Sequence, residues 1–319
     1  MKKIICILYI GFLFADYGGG YVGSGYRYGS NAREFSLAGA VVADKTPGFY
    51  AFSNPALLKF AKNNHIGISI QKMSLDRSIQ CFSFSRRLPP NAGVGFSILR
   101  SGTDNIMGKD FMNNETESFS SSEIEGIISF GVAFGSIFAL GINIKALFFS
   151  IYEDYKGNGI SGDIGLIYKF NHHLYMGALM KNLTANYNWK VTIGEDERSY
   201  KEEFPQYYIF GIAYSGLKRT TLFFQEDIMF TPDDDVNYRI RIGSEYDLEN
   251  KMNLRVGLKQ SRGALPEGIK IDGINLIPTF GAGIPIKIWH RQYIQVDYSL
   301  DPGSMNEGLS HLFSFSLQF

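Results

Sequence analysis

The sequence predicts an all-β protein, a transmembrane antiparallel β-barrel of about 14 strands. Three observations carry this. Apolar and aromatic residues alternate with small or polar ones at period 2 from about residue 63 to the end. The connections between these segments are alternately short and long, as in a barrel with one rim of turns and one of loops. The composition suits a wall with one oily and one wet face: 15% aromatic, 19% charged, 35 glycines in 319 residues, and 31 basic against 31 acidic side chains. A mean hydropathy of −0.07 excludes a helical bundle. Hydrophobic content of 45% excludes disorder. Zero net charge gives no reason to expect a nucleic-acid partner.

Residues 1–15, MKKIICILYIGFLFA, place Lys2 and Lys3 before an apolar run too short to span a bilayer as a helix. Followed by polar, Gly-rich sequence, they read as a secretory signal peptide. Cys6 leaves with it and Cys81 stays alone, so neither an intramolecular disulfide nor a Cys-based metal site is expected. Residues 16–62 are a lead-in and a non-strand segment. Gly18–Gly29 follows no strand and opens no helix, which excludes a phosphate loop; it reads as a flexible lead-in with Tyr17, Tyr21, Tyr26 and Tyr28 near the membrane interface. In Asn31–Lys62, Pro47, Gly48 and Pro55 break any ladder, and Phe35–Val42 has short helical or turn character.

Residues 63–319 form the barrel. Gly126–Ile144 carries no charge and imitates a membrane helix, but Ile128, Phe130, Val132 and Phe134 alternate with Ser129, Gly131, Ala133 and Gly135, and the bulky set resumes at Phe138 after Ser136. That is a hairpin. Strands are expected to begin near residues 65, 77, 92, 122, 136, 159, 172, 205, 219, 236, 251, 268, 287 and 308. The long links include Ser101–Ser121 and Leu183–Phe204; the short ones include Phe134–Ser136 and Leu248–Lys251. Alternation alone fits a soluble sandwich too, but a sandwich has no reason to sort its loops by parity. Two places break the pattern. Parity changes at Asp272-Gly273, by a bulge or a turn. Glu226 and Asp227 cannot both face the lumen, so Glu226 sits at headgroup level or the register slips.

The polar face carries Asp227, Arg239, Arg241, Glu245, Arg255, Lys259 and Asp297, a charge network inside the lumen whose opposite signs offset each other's desolvation. A structural role and a polar gate for a ligand's carboxylate are both open. The chain ends on alternating Phe313, Phe315, Leu317 and Phe319, and the pair Phe315 and Phe319 is similar to the C-terminal signal read by barrel insertion machinery.

Asn31–Leu58, NAREFSLAGAVVADKTPGFYAFSNPALL, contains Arg33, Leu37-Ala38-Gly39-Ala40, Ala43-Asp44 and Asn54-Pro55-Ala56-Leu57. It resembles the N-terminal region of the long-chain fatty-acid-transporter superfamily of outer-membrane barrels, most closely its PorV/PorQ-type branch. GISGDIGLIYKF (159–170), MGALMKNLT (176–184), IRIGSEYDL (240–248) and LRVGLK (254–259) follow in the family's order. The resemblance implies that the segment around Arg33, Gly39, Asp44, Asn54, Pro55 and Ala56 folds into the lumen as a hatch. Whether that hatch is a gate or a static plug stays open. It further implies the outer membrane of a diderm bacterium, with outer-membrane lipid and the insertion machinery as partners. Three functions follow from it: passage of a hydrophobic small molecule, a non-transporting accessory role toward a secreted protein, or a structural barrel.

No chemistry competes with these. His172-His173 falls in a short turn where adjacent side chains diverge, and no serine has a G-x-S-x-G context. Asp233-Asp234-Asp235 lacks EF-hand spacing and reads as a solvated acidic turn. The expectation is a non-enzyme without cofactor or metal.

Overall fold

The computed structural model describes residues 20–46, 48–61, 64–73, 75–151, 155–193, 196–249, 251–260, 269–271, 274–289, 292–301 and 309–319. Residues 1–15, the expected signal peptide with Cys6, lie outside them, as do Tyr17 and Pro47. Period-2 sequence becomes strand, and seventeen strands occur among the described residues: β1 (His65–Lys72), β2 (Arg77–Leu88), β3 (Ala92–Lys109), β4 (Glu115–Phe134), β5 (Phe138–Ile151), β6 (Tyr155–Lys169), β7 (Leu174–Leu183), β8 (Asn186–Ile193), β9 (Asp196–Glu203), β10 (Gln206–Leu217), β11 (Thr220–Phe230), β12 (Val236–Asp247), β13 (Asn253–Gln260), β14 (Ile269–Ile271), β15 (Ile274–Trp289), β16 (Gln292–Asp301) and β17 (Ser310–Gln318). β1 pairs with both β2 and β17, β7 with β10, and β13 with β15, all antiparallel. With β8, β9 and β14 outside the ring, the pairing closes as a 14-stranded barrel. At the closing seam Phe319 and Asn64 exchange both backbone hydrogen bonds, at 3.0 and 3.1 Å.

The barrel is oily outside and polar inside. Ile68, Ile128, Ile144, Ile160, Ile242 and Phe313 are exposed on the outer face, while Ser69, Ser129, Asn143, Asp163, Asp227 and Arg255 are buried within. This inverts a water-soluble sandwich. The alternation runs through β11 without a slip: Glu226 points outward opposite Phe210 and Ile240, and Asp227 is buried inside. Glu226 lies one outward position below the row formed by Tyr208, Ile228 and Tyr238. Asp272 and Gly273, where the parity changes, are outside the described residues; on either side of them Ile271 pairs antiparallel with Ile274.

The two predicted long loops are built largely of strand. β3 and β4 run on past the ring as one hairpin, and β8–β9 form another that docks on β6 through Tyr155–Asn158. Polar residues on both faces of Thr103–Lys109 and Asp196–Glu203 hid these stretches from an alternation test, whereas Asn186–Ile193 alternates, with Tyr187, Trp189 and Val191 buried. The β3–β4 tip is a tight turn: the Asp110 carboxylate accepts from the Met112 and Asn114 backbone N–H groups at 2.8 Å and from Asn114 Nδ2 at 2.9 Å.

Gly20–Ala61 lies inside the ring. It contains a 3-10 turn at Ser24–Arg27, helix α1 (Ala32–Ser36), helix α2 (Tyr50–Ser53) and a second 3-10 turn at Pro55–Phe60. Asn31 caps α1 by accepting from the Glu34 N–H at 3.0 Å. α1 packs on β15 and β16, and the second 3-10 turn packs on β3 to β6.

Candidate functional site inside the barrel

Glycines on neighbouring wall strands clear the room that this segment occupies. Gly93 faces Gly131, Gly131 faces Gly141, and Gly141 faces Gly165 across four successive strands. A Cβ at these positions would meet Leu58 O, Pro55 O, the Pro55–Ala56 peptide and Asn54 Oδ1 respectively. Gly177 and Gly211 pair beneath Val42, and Gly243 and Gly257 beneath Leu37 and Ala38. The glycine-rich composition is thus a lumen feature, not only a turn feature.

The Asn-Pro-Ala motif is the first anchor. Asn54 is wholly buried. Its Nδ2 donates to Val42 O at 3.0 Å and to Leu166 O and Ala178 O at 3.2 Å, while Oδ1 accepts from the Ala56 N–H at 3.0 Å. Leu166 and Ala178 are cross-strand partners on β6 and β7, so one amide ties the segment to two wall strands. Pro55 begins the 3-10 turn where a missing N–H costs nothing, and Ala56 is small enough to lie on Gly141.

The second anchor joins predicted residues that sequence left apart. Arg33 Nε and Nη2 donate to the two Glu245 carboxylate oxygens at 2.9 Å each, and Nη1 pairs with Asp44. Glu245 also accepts from Arg255 Nε at 2.5 Å, and Arg255 Nη1 donates to Asp297 at 2.7 Å. Arg33 and Asp44 belong to the lumenal segment, the other three to the wall. All five charges are nearly dry, so each is tolerated only with its partners in place.

A third anchor holds the turn between α1 and Val42. Arg241 pairs with Asp227, and its Nη1 reaches Ala38 O at 3.4 Å. Gln225 bridges Asp227 (2.8 Å) to the Val42 N–H (3.0 Å). Gly39 has φ +81 and lies directly under the Arg241 guanidinium, so any side chain there is strained and displaces the arginine. Lys259 stands 6.0 Å over the Phe35 ring. Arg239 lines a cavity of about 80 Å³ with Arg241, Lys181, Glu34, Asp227 and Tyr207. That volume holds a few waters, and its lining is of mixed charge.

Sequence reading passed over two features. Buried Lys145 pairs with Asp163 at 2.9 Å and Glu125 at 3.6 Å, and Asn143 links Asp163 to the carbonyl of Ala51 in α2. Asn143, Lys145 and Asp163 share the small-residue parity of β5 and β6, a signal that was legible. The lead-in is also not an interfacial tail. Gly25 donates to Glu123 at 3.1 Å, Tyr26 meets the Tyr187 hydroxyl at 2.8 Å and stacks on Phe204, and Tyr21 donates to Asp233 at 2.8 Å. The turn at Ser24–Arg27 therefore caps the lumen at the long-loop rim. Phe315 and Phe319 lie exposed on the outer face beside the closing seam. Among the described residues, no group of three His, Cys, Asp or Glu side chains could hold a metal ion.

Solved barrels share this architecture. The chain superposes on the Pseudomonas putida toluene transporter TodX with a TM-score of 0.65 at 14% identity, covering 91% of this chain and 99% of that one. For the CymD monoaromatic hydrocarbon channel the values are 0.62 and 12%, with 91% and 98% covered. For a Pseudomonas aeruginosa FadL homologue they are 0.61 and 11%, with the same coverage. No family model and no curated protein matches the sequence. At these identities the likeness fixes the fold: a closed antiparallel 14-stranded barrel of the architecture shared by FadL-type channels.

Proposed function

We propose that this chain is an outer-membrane barrel that passes a hydrophobic compound, with Gly20–Ala61 as the gate in its lumen. The observation that carries the reading is the anchoring itself. The segment fills the lumen but is held to the wall by side-chain contacts, the ion pairs Arg33–Glu245 and Arg241–Asp227 and the Asn54 amide, and not by strand pairing, so its release would leave the ladder of the wall intact. The apolar outer face and the likeness to hydrocarbon channels support the membrane placement, with the long-loop rim outside and the short-turn rim in the periplasm. Phe315 and Phe319, on the strand that closes the ring, are the residues that insertion machinery would read. The role is transport, not catalysis. Uptake of a monoaromatic hydrocarbon, toluene, by cells with and without the chain tests this; equal uptake rates would sink it.

A second reading has its own support. The described lumen segment is filled and its cavity is small and charged, which also suits an accessory protein that meets secreted proteins at the surface without transporting anything. Toluene uptake separates the two.

A further inference from the structure

The two longest strands, β3 and β4, continue past the ring as a hairpin. β3 stays in the ring as far as the pair Arg77–Thr103, and β4 as far as Ser121–Ile151. Beyond these pairs β3 and β4 form a ladder with each other and, among the described strands, with no other; the Asp104 N–H still donates to Asp76 O at 3.2 Å, and the six β3 residues 104–109 carry the tip up to about 20 Å farther along the strand. At that tip the chain displays two adjacent large apolar side chains, Phe111 fully exposed and Met112 at 84% exposure, with Met107 half-exposed below them.

Their display is rigid. Asp110 organises the turn through three hydrogen bonds to Met112 and Asn114, the Asp110 and Asn114 backbones pair at 3.0 Å, and Lys109 Nζ donates to Asn113 Oδ1 at 3.0 Å. A flexible loop would fold such side chains back onto itself. A fixed turn keeps them in water and removes in advance the ordering cost of binding. Phenylalanine and methionine together are the anchor chemistry of protein interfaces.

The charge around them selects the partner. Between Ser101 and Ser121 the hairpin carries Asp104, Asp110, Glu115 and Glu117 against Lys109 alone. An anionic lipid surface is repelled by this set, and the tip stands too far above the wall to dip into its own bilayer. We propose that the β3–β4 hairpin is a docking finger, and that Phe111 and Met112 enter an apolar pocket, rimmed by basic side chains, on a folded protein outside the cell. The inference uses only the outward placement of the long-loop rim. It does not depend on passage through the lumen, and toluene uptake is indifferent to it.

A photo-reactive benzophenone amino acid at position 111 of the full chain, irradiated in intact cells, tests the finger. The expected result is one covalent adduct with one other protein, identified by mass spectrometry. That adduct should be lost in a Met112→Ser background, be reduced by Glu115→Lys with Glu117→Lys, and be missing when the probe sits at exposed Tyr200. With that protein purified, Phe111→Ser should weaken binding to the full barrel by about 30-fold, while its heat-modifiable migration stays unchanged. An adduct with lipid or lipopolysaccharide, an adduct with a second copy of this chain, no adduct, or a protein adduct indifferent to Met112→Ser would each overturn the proposal.

Discussion

Arg33 grips Glu245 with two parallel hydrogen bonds of 2.9 Å, the lumenal segment holding the wall through a planar fork on a planar carboxylate. Because Asp44 and Arg255 hold the same two groups from the other sides, the fork is the middle of a chain and not an isolated pair. Loss of any link leaves a buried charge uncompensated.

Arg33→Ala and Glu245→Ala should each destabilise the barrel by about 3–5 kcal/mol, and the double variant by clearly less than the sum. Denaturant unfolding in lipid vesicles measures all three. Additive losses would mean that the two residues do not act on one another.

Valine at Gly141 or Gly165 places a side chain where Ala56 and Asn54 lie. Such variants should expel the Pro55–Phe60 turn from its seat or fail to assemble, whereas Gly126→Ala, with open space around its Cβ, should behave as the parent. Heat-modifiable migration and limited proteolysis of the N-terminal segment give the comparison.

Asn54→Ala removes one amide from three carbonyls and one N–H, at a cost of about 1–3 kcal/mol. Asn54→Asp should do no better. It keeps the acceptor for the Ala56 N–H but sets a carboxylate against the Leu166 and Ala178 carbonyls. Equal stability of Asn54→Asp and the parent would rule out the amide as the anchor.

The β3–β4 turn has a defined pH window. The Asn114 side chain and backbone N–H, with a lesser contribution from the Met112 N–H, hold the Asp110 carboxyl below its ordinary value of 3.8 against an opposing desolvation. A depressed carboxyl contributes stability that is fully present above the ordinary value and lost as pH falls through the lowered one. Protection of the Met112 and Asn114 amides, the exchange rate taken relative to that of an unstructured peptide at the same pH, should therefore be constant from pH 6 to pH 5 and be lost only below 3.8. Loss of protection already between pH 6 and 5 would contradict this.

Much of the barrel was legible because a wall with an apolar outer face and a polar inner one enforces period 2 on every strand. Each strand of the ring begins within several residues of its expected place, from His65 to Ser310. What escaped had a physical reason. Thr103–Lys109 and Asp196–Glu203 carry polar residues on both faces, so no alternation marks them as strand; Asn186–Ile193 does alternate, burying Tyr187, Trp189 and Val191, but its parity does not tell that it pairs outside the ring. Arg33 and Asp44 were picked from a motif, and Glu245, Arg255 and Asp297 from parity; no sequence spacing reveals that the two sets touch across 212 residues. Tyr26 looked interfacial because an aromatic in a glycine-rich stretch gives no sign of the Tyr187 and Phe204 rings waiting above the lumen.

The central claim is that the lumenal segment is held in place but can leave it, and Cys81 reports on that directly. It is the only cysteine outside the predicted signal peptide, buried against Phe49, Ala51 and Phe52 of the segment. Its labelling by a water-soluble maleimide in the intact barrel should be slow in the parent and at least about tenfold faster in Glu245→Ala, the change given by about 1.4 kcal/mol of easier opening. Equal rates in the two, or rapid labelling of the parent, would contradict a gate anchored by the Arg33–Glu245 clamp.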